Sequence, residues 1–302
     1  MNGHIGSVVR APLTLFLCSS ALGGCLRVGP LPQPEHDLRL DHELVGTIWR
    51  SSDWTQVSER DVVSDLRRTE VVLIGEKHDN VDHHALQGWL IRQLRPSAVA
   101  FEMLDEEDDV TAREPLALAK AVDWENSGWP PFEEYAPVFV ATMDVDAAVV
   151  AAHPSRATLK ASMRGELEPD PTLPLHIELS DVHKKELADL IHDAHCGHAS
   201  DKVVSMMISG QRLKDAWMAR SLDAAEGRAV LIAGNGHAVR GRGVPLYLQR
   251  PSQTVALREV SQGEADPKAY GTDADYVWFT ARVDEVDPCE RFKEQLQKMK
   301  QE

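Results

Sequence analysis

The chain has 302 residues, of which 43% are hydrophobic and 26% charged, and this length and composition predict a globular protein with a full core. Its formal net charge of -16 argues against nucleic acid as a partner, because so acidic a surface repels a phosphate backbone. No segment after the N-terminus is long and apolar enough to predict a transmembrane helix.

The N-terminus has the pattern of an export signal. Arg10 precedes a short apolar run at 11–18, and small residues then lead to the sequence Leu-Gly-Gly-Cys at 22–25. The run is too short for a permanent membrane helix, so we expect it to be removed. The Leu-Gly-Gly-Cys sequence resembles the lipobox of bacterial lipoproteins. This resemblance implies a signal peptide over 1–24 and a lipid on Cys25.

The residues after the cleavage site are predicted to form a lipidated tether over 25–45. The stretch 29–34 is rich in proline and has no clear periodicity, which is typical of a linker. Leu26, rather than an aspartate, follows the cysteine, and the lipobox resemblance then implies the periplasmic side of the outer membrane. We expect a folded domain over 46–285 and a charged tail over 286–302.

Continuous apolar runs that predict buried strands lie at 71–74, 98–101, 228–233, 254–257 and 276–279. Such runs are typical of a parallel sheet that is covered on both faces. Apolar residues at helical spacing predict a helix over 80–94, which completes a right-handed βαβ unit with the first two runs. The polar segment 105–225 predicts a large helical insertion. The predicted fold class is therefore α/β, with a mostly parallel sheet core and a large helical insertion.

Polar side chains follow three of these strands at their carboxyl ends, where open α/β sheets place their sites. Glu76 and His78 follow the first strand, Glu102 the second, and Asn235 and His237 the third. If the three strands are neighbours, these side chains converge on one edge of the sheet. Two carboxylates and two imidazoles can bind a divalent metal or act as acid and base. For any one of them alone, a solvated charge, a helix cap or a turn residue is the simpler interpretation.

Further histidines and cysteines stand near this edge or in the insertion. His83 and His84 are either additional ligands or exposed residues of a first helical turn. The segment 192–198 contains three histidines and Cys196, which are metal-ligating residue types, but the spacing is not that of a zinc finger. Solvated histidines at a helix end explain it equally well. Once Cys25 carries lipid, Cys196 and Cys289 remain, and whether they pair stays open.

Two groups in the insertion have the same ambiguity. Gln211, Asp215 and Met218 share one face of a predicted helix, where they line a cleft or form a structural hydrogen bond with a strand loop. An aromatic cluster at a Pro-Pro turn consists of Trp124, Trp129, Phe132 and Tyr135. Such a cluster covers a flat ligand such as a porphyrin, or it forms the insertion's own small core.

The order and spacing of these motifs resemble the ChaN-type haem-binding lipoproteins over about 46–248. The segments that carry the resemblance are 75–84, 101–103, 135–137, 195–197, 211–219, 232–237 and 243–245. The resemblance implies the fold of the wider Tiki, TraB and erythromycin-esterase group. It also implies haem binding in haem or iron acquisition, with a homodimer that encloses the haem.

The resemblance also implies which residues contact the ligand. It implies a tyrosine on the haem iron, and Tyr135 holds that place by position, with Tyr247 as the alternative. His78, Asn235 and His237 are implied as further cofactor-binding residues. Some relatives use the same edge of the sheet for metal-dependent hydrolysis. Since Glu76, His78, Glu102 and His237 are all present, a hydrolase that uses a divalent metal on these four residues is the alternative function.

Overall fold

The computed structural model describes residues 28–168, 170–271, 273–287 and 289–290. The predicted signal peptide 1–24, the predicted lipidation site Cys25 and most of the predicted C-terminal tail lie outside these residues. No helix within the described ranges has both the length and the apolar character that a bilayer crossing requires.

The core is a single sheet, to which the described residues contribute eight strands. The strands are β1 (Ile48–Arg50), β2 (Thr55–Val57), β3 (Val71–Glu76), β4 (Ala98–Asp105), β5 (Ala148–His153), β6 (Ala229–Gly234), β7 (Ser252–Glu259) and β8 (Tyr276–Thr280). Their order is β2-β1-β8-β7-β3-β6-β4-β5. Only β1 pairs antiparallel with its neighbours, and the other pairs are parallel. The predicted mostly parallel α/β core is confirmed.

Helices cover both faces of this sheet. They are α1 (Glu59–Leu66), α2 (Val81–Leu94), α3 (Pro115–Ala121), α4 (Phe132–Asp144), α5 (Arg156–Arg164), α6 (Asp181–Ala194) and α7 (Asp201–Ala224). Alternate residues of each buried strand point to opposite faces, so Ile74 packs with α2 and α4, whereas Leu73 packs with α7. This alternation explains why the strand sequences are apolar throughout.

The insertion differs from its prediction in one respect. The segment between β4 and β6 contains five helices, but it also contributes β5, which pairs with β4 at the edge of the sheet. The two central strands β3 and β6 each have a parallel neighbour on both sides. Their carboxyl ends lie in the middle of one edge of the sheet, which we call the rim.

The described part of the predicted tether lies along the domain. The backbone N–H of Gly29 donates to Gln93 at 3.2 Å, and the indole of Trp89 donates to the Gly29 carbonyl at 3.1 Å. At the other end of α2, the carboxylate of Asp82 accepts from the N–H of Glu35 at 2.6 Å. The segment 28–36 thus runs antiparallel to α2 and is held at both ends.

Candidate functional site

The rim is built by the parallel register of three strands. Glu76 ends β3 directly opposite Gly234 of β6, and Phe101 of β4 lies opposite Ile232 of the same strand. Glu102 follows Phe101, so its side chain reaches the rim beside Gly234. The three strand ends that the sequence predicted to meet are therefore neighbours, and the side chains of Glu76, His78, Glu102 and His237 lie within one network of contacts.

Glu76 is the buried acceptor at one end of this network. Its Oε1 accepts from the Tyr135 hydroxyl at 2.6 Å and from His78 Nδ1 at 2.8 Å, and its Oε2 accepts from the Gln87 amide at 2.6 Å. Burial raises the pKa of Glu76, but contacts from His78 and His84 outweigh it and hold the pKa well below its usual value. The residue is a carboxylate whose oxygen atoms are fully engaged.

Glu102 and His237 form the other end of the network. The carboxylate accepts from the Gly234 N–H at 2.9 Å and lies 3.0 Å from His237 Nε2. The other ring nitrogen, Nδ1, contacts Asp215 at 2.6 Å. Burial lowers the pKa of His237, but the charges of Glu102 and Asp215 raise it to about 9. The ring is therefore protonated at neutral pH and donates to both carboxylates.

His78 joins the two ends and is the part of the network that faces solvent. Its side chain is 32% exposed, whereas those of Glu76 and Glu102 are at most 3% exposed. Nε2 lies 3.8 Å from Glu102, and the ring packs on Trp129 with centroids 4.8 Å apart. A Cβ on Gly234 would stand 2.7 Å from Nε2, so glycine is needed for this close approach.

The predicted metal role of Glu76, His78, Glu102 and His237 is not supported. In the described part of the chain, no three His, Cys, Asp or Glu side chains are arranged to hold a metal ion. The physical reason is that carboxylates and imidazoles alternate along the network and engage one another. The alternative function, a metal-dependent hydrolase, needs these four groups to bind one ion, and this arrangement does not support it.

The other predicted candidates divide into buried and surface residues. His83 and His84 are both buried rather than exposed on a first helical turn. His83 Nδ1 accepts from the Lys77 N–H at 2.9 Å, and burial lowers its pKa to about 3, so the ring is a neutral structural residue. In the segment 192–198, Cys196 forms a disulfide with Cys289, with a Cα–Cα separation of 5.6 Å.

Both tyrosines implied as haem ligands are buried. Tyr135 is 0% exposed and donates to Glu76, and burial together with the charge of Glu76 raises its pKa above the usual value. Tyr247 is 1% exposed, and its hydroxyl accepts from Arg212 at 3.2 Å. Asn235 donates to the Leu257 carbonyl at 2.7 Å, and its Oδ1 has no partner among the described residues.

The aromatic cluster divides between the main core and the surface. Trp124, Phe132 and Tyr135 are buried and belong to the core on the α4 side of the sheet. Trp129 is half-buried, contacts His78, and lines an adjoining cavity of about 680 Å³ with exposed Leu116. Trp129 is therefore the member of this cluster that contacts the rim through His78.

A second cavity, which we call the rim cleft, is lined by His78 itself. It has a volume of about 490 Å³ and is lined by Glu76, Lys77, His78, Asn235, Arg258 and Tyr270, among others. Arg258 carries no signal in the sequence, because the position of β7 beside β3 is set by long-range pairing. Gln87 carries no signal either, since it lies on α2 but contacts Glu76.

Known proteins resemble this chain in sequence family and in fold. A family model described as haem-binding uptake, Tiki superfamily, ChaN matches residues 62–248. The solved structure of ChaN from Campylobacter jejuni, described as cofacial heme binding, is similar with a TM-score of 0.65 and 23% identity. That similarity covers 82% of this chain and 98% of the other.

Other matches are weaker. The type III effector HopBA1 has a TM-score of 0.42 at 12% identity, over 86% of this chain and 99% of that one. No curated protein sequence matches the chain. Because the family model covers more than half of the chain, the chain belongs to the ChaN haem-binding uptake family of the Tiki superfamily.

Proposed function

We propose that this protein binds haem at the rim and serves in haem or iron acquisition as an exported lipoprotein. The observation that carries the proposal is the half-exposed imidazole of His78, which lies beside Trp129 while Glu76 engages its Nδ1. A carboxylate on one ring nitrogen orients the ring and makes the other nitrogen a better ligand for iron. Membership of a haem-binding family supplies the identity of the ligand.

The surroundings of His78 fit a flat, apolar ring with polar edges. Trp129 supplies apolar surface to the imidazole, and the ring also lines the rim cleft. The rim cleft, of about 490 Å³, is of the size that ligand sites in proteins usually have, about 300–1,000 Å³. Bound haem would bring its iron-centred chemistry to this surface. The chain supplies the position, the apolar contact and the axial ligand.

His78 and Tyr135 are the two candidates for that axial ligand. His78 reaches solvent as it stands, whereas the Tyr135 hydroxyl must leave Glu76 before it can reach an iron atom. We expect hemin to bind the soluble domain saturably, with an optical spectrum of histidine ligation. His78→Ala should abolish that spectrum, while Tyr135→Phe should retain it. A tyrosinate-type spectrum that is lost in Tyr135→Phe would assign the iron to Tyr135 instead.

Two controls make this titration decisive. Tyr247→Phe removes the other implied tyrosine, whose hydroxyl bonds to Arg212 of α7, and it should leave the spectrum unchanged. His192→Ala removes a histidine that is half exposed in the distant α6, and it tests for adventitious binding to surface imidazoles. Absence of a saturable optical change in the wild-type domain would reject haem binding.

A homodimer is part of the proposal. Cofacial heme binding is what the C. jejuni structure describes, and two stacked haems need a protein surface on both outer sides. We propose that a second copy of this chain supplies the second surface through its own rim. Analytical ultracentrifugation with and without hemin tests this, and a domain that stays monomeric when loaded would contradict it.

Export and lipidation also belong to the proposal. The support is the Leu-Gly-Gly-Cys sequence at 22–25 together with the Cys196–Cys289 disulfide, a type of bond that persists in oxidising compartments. Expression of the full chain followed by mass spectrometry of the membrane fraction should find lipid on Cys25. The variant Cys25→Ser should appear in the soluble fraction, and a wild-type protein that carries no lipid would refute the anchor.

A further inference from the structure

Within the described part of the chain, Arg258 and Arg242 form no salt bridge with a carboxylate. Arg258 is the second-last residue of β7 and lines the rim cleft, and Arg242, in the loop after His237, is close enough for its charge to act on Arg258. The Nε atoms of both are buried and have no hydrogen-bond partner among the described residues. The one side-chain bond of Arg242 is a long contact of 3.5 Å to the Gly236 carbonyl.

Two neighbouring cations, in contrast, form ion pairs with carboxylates. Arg240, two residues before Arg242, pairs with Asp275 at 2.6 Å, and Lys77, in the rim cleft itself, pairs with Glu259 at 3.2 Å. Neither pair includes Arg242 or Arg258. Burial and the nearby charge of Arg242 lower the pKa of Arg258, although the charge of Asp273 acts against them. An arginine nonetheless remains charged in a protein.

A buried charge with no partner is costly to a folded protein, and replacing such groups by apolar residues often stabilises the fold. The arrangement is therefore expected where an anion completes it. Guanidinium groups recognise carboxylates with paired hydrogen bonds and a matching planar geometry. The rim cleft is lined by both Arg258 and His78, which places this arginine beside the surface proposed for the porphyrin.

We propose that Arg258 and Arg242 form a carboxylate-binding site at the rim, and that its ligand is a propionate group of haem. The proposal rests on the haem binding proposed above and assigns the edge of the porphyrin that faces the rim cleft. The iron-bearing centre then lies at His78, and the apolar edge lies toward Trp129. The ring is fixed in one orientation by a charged contact at one edge and an aromatic contact at the other.

The test compares hemin with hemin dimethyl ester, which has the same ring and iron but no free carboxylate. We expect Arg258→Gln to weaken hemin affinity by about ten- to a hundredfold, the usual range for a hydrogen bond between charged groups. Its affinity for the dimethyl ester should equal that of wild type. Arg242→Gln should act in the same direction. The control matched to Arg242 is Arg240→Gln. It removes an arginine from the same loop that is already paired with Asp275, and it should change the affinity for neither ligand.

A second measurement needs no haem. Arg258→Met should raise the Tm of the haem-free protein, because it removes an uncompensated buried charge. A variant that is more stable yet binds hemin more weakly identifies a binding residue rather than a structural one. If Arg258→Gln weakens hemin and the dimethyl ester equally, or weakens neither, the carboxylate site is wrong.

Failure of haem binding itself would be recognised separately. If wild type binds neither hemin nor its ester, the proposed function falls, and succinate then tests the arginines alone. A rise in Tm with succinate in wild type but not in Arg258→Gln would retain an anion site for another carboxylate. No rise in wild type would overturn the site as well.

Discussion

At the scale of single residues, the charge on His237 is tied to folding. The ring lies between Glu102 and Asp215, and its pKa in the folded protein is about 9. In an unfolded chain the pKa of histidine is about 6.5. A group whose pKa rises on folding stabilises the native state fully below its unfolded pKa. That stability is lost as the pH rises through the folded pKa.

We therefore expect the unfolding free energy of wild type to exceed that of His237→Gln by a margin that depends on pH. The margin should be largest near and below about pH 6.5 and should shrink by on the order of a few kcal/mol as the pH approaches the folded pKa. Urea denaturation from about pH 6 to about pH 9 measures it. A margin that stays constant over this range would show that the ring does not carry the charge.

The strand-end residues of the network could be predicted from the sequence, but their partners could not. Glu76, Glu102 and His237 each follow an apolar run, and parallel strands bring such positions to one edge. Gln87 and Arg258 carry no comparable signal, since their roles depend on how α2 and β7 pack against β3. For Asp215 the sequence left open a cleft position or a hydrogen bond with a strand loop, and in the structure its carboxylate contacts His237.

At the scale of elements, a glycine sets the distance between α2 and α4. A Cβ on Gly88 would stand 2.7 Å from the carbonyl oxygen of Pro137, which is backbone of the neighbouring helix and cannot move alone. Gly210 in α7 has a different environment. Its Cβ would meet the ends of Met163 at 3.0 Å and Leu159 at 3.3 Å, and both are flexible side chains.

The same substitution should therefore have opposite effects in the two helices. Alanine is favoured over glycine in a helix by about 1 kcal/mol. We expect Gly88→Ala to lower the unfolding free energy by about 1–3 kcal/mol, because the helices must move apart. Gly210→Ala should leave it unchanged or raise it by up to about 1 kcal/mol. Chemical denaturation of both variants tests this, and a stabilising Gly88→Ala would contradict the packing.

The elements that the sequence failed to predict are the outer strands. Buried runs predicted β3, β4 and β6 because these strands are covered on both faces, and the same signal identified β7 and β8. β5 lies at the sheet edge and is only partly buried. Its alanine-rich sequence therefore falls within the segment that predicts a helical insertion. β1 and β2 have three residues each, too few for a periodic pattern.

At the scale of the whole molecule, one covalent bond joins the insertion to the end of the chain. The Cys196–Cys289 disulfide links residues 93 positions apart and connects the turn between α6 and α7 to the segment after β8. A bond that closes so long a loop restricts the unfolded chain strongly. The disulfide therefore adds to the stability of the part of the chain between the two cysteines, which contains β6, β7 and β8.

Removing this bond should destabilise the protein by about 2–4 kcal/mol. The variant in which both Cys196 and Cys289 are serine should have a lower Tm than oxidised wild type. Wild type treated with a reductant should have the same Tm as the variant, and the variant should not respond to the reductant. Equal Tm values for oxidised and reduced wild type would show that the bond contributes nothing.

The segment 28–36 determines which way a lipid-anchored molecule faces. Cys25 is three residues from Val28, a separation of at most about 11 Å, and Gly29 is held against the last turn of α2. The helix α2 has 14 residues. Its last turn, which holds Gly29, therefore lies about 20 Å from its first turn, which lies next to the rim. An acylated Cys25 would then turn Trp129 and the rim cleft toward the aqueous compartment. If Cys25 carries a lipid as proposed, haem would reach the rim from the aqueous compartment rather than by lateral diffusion out of the bilayer.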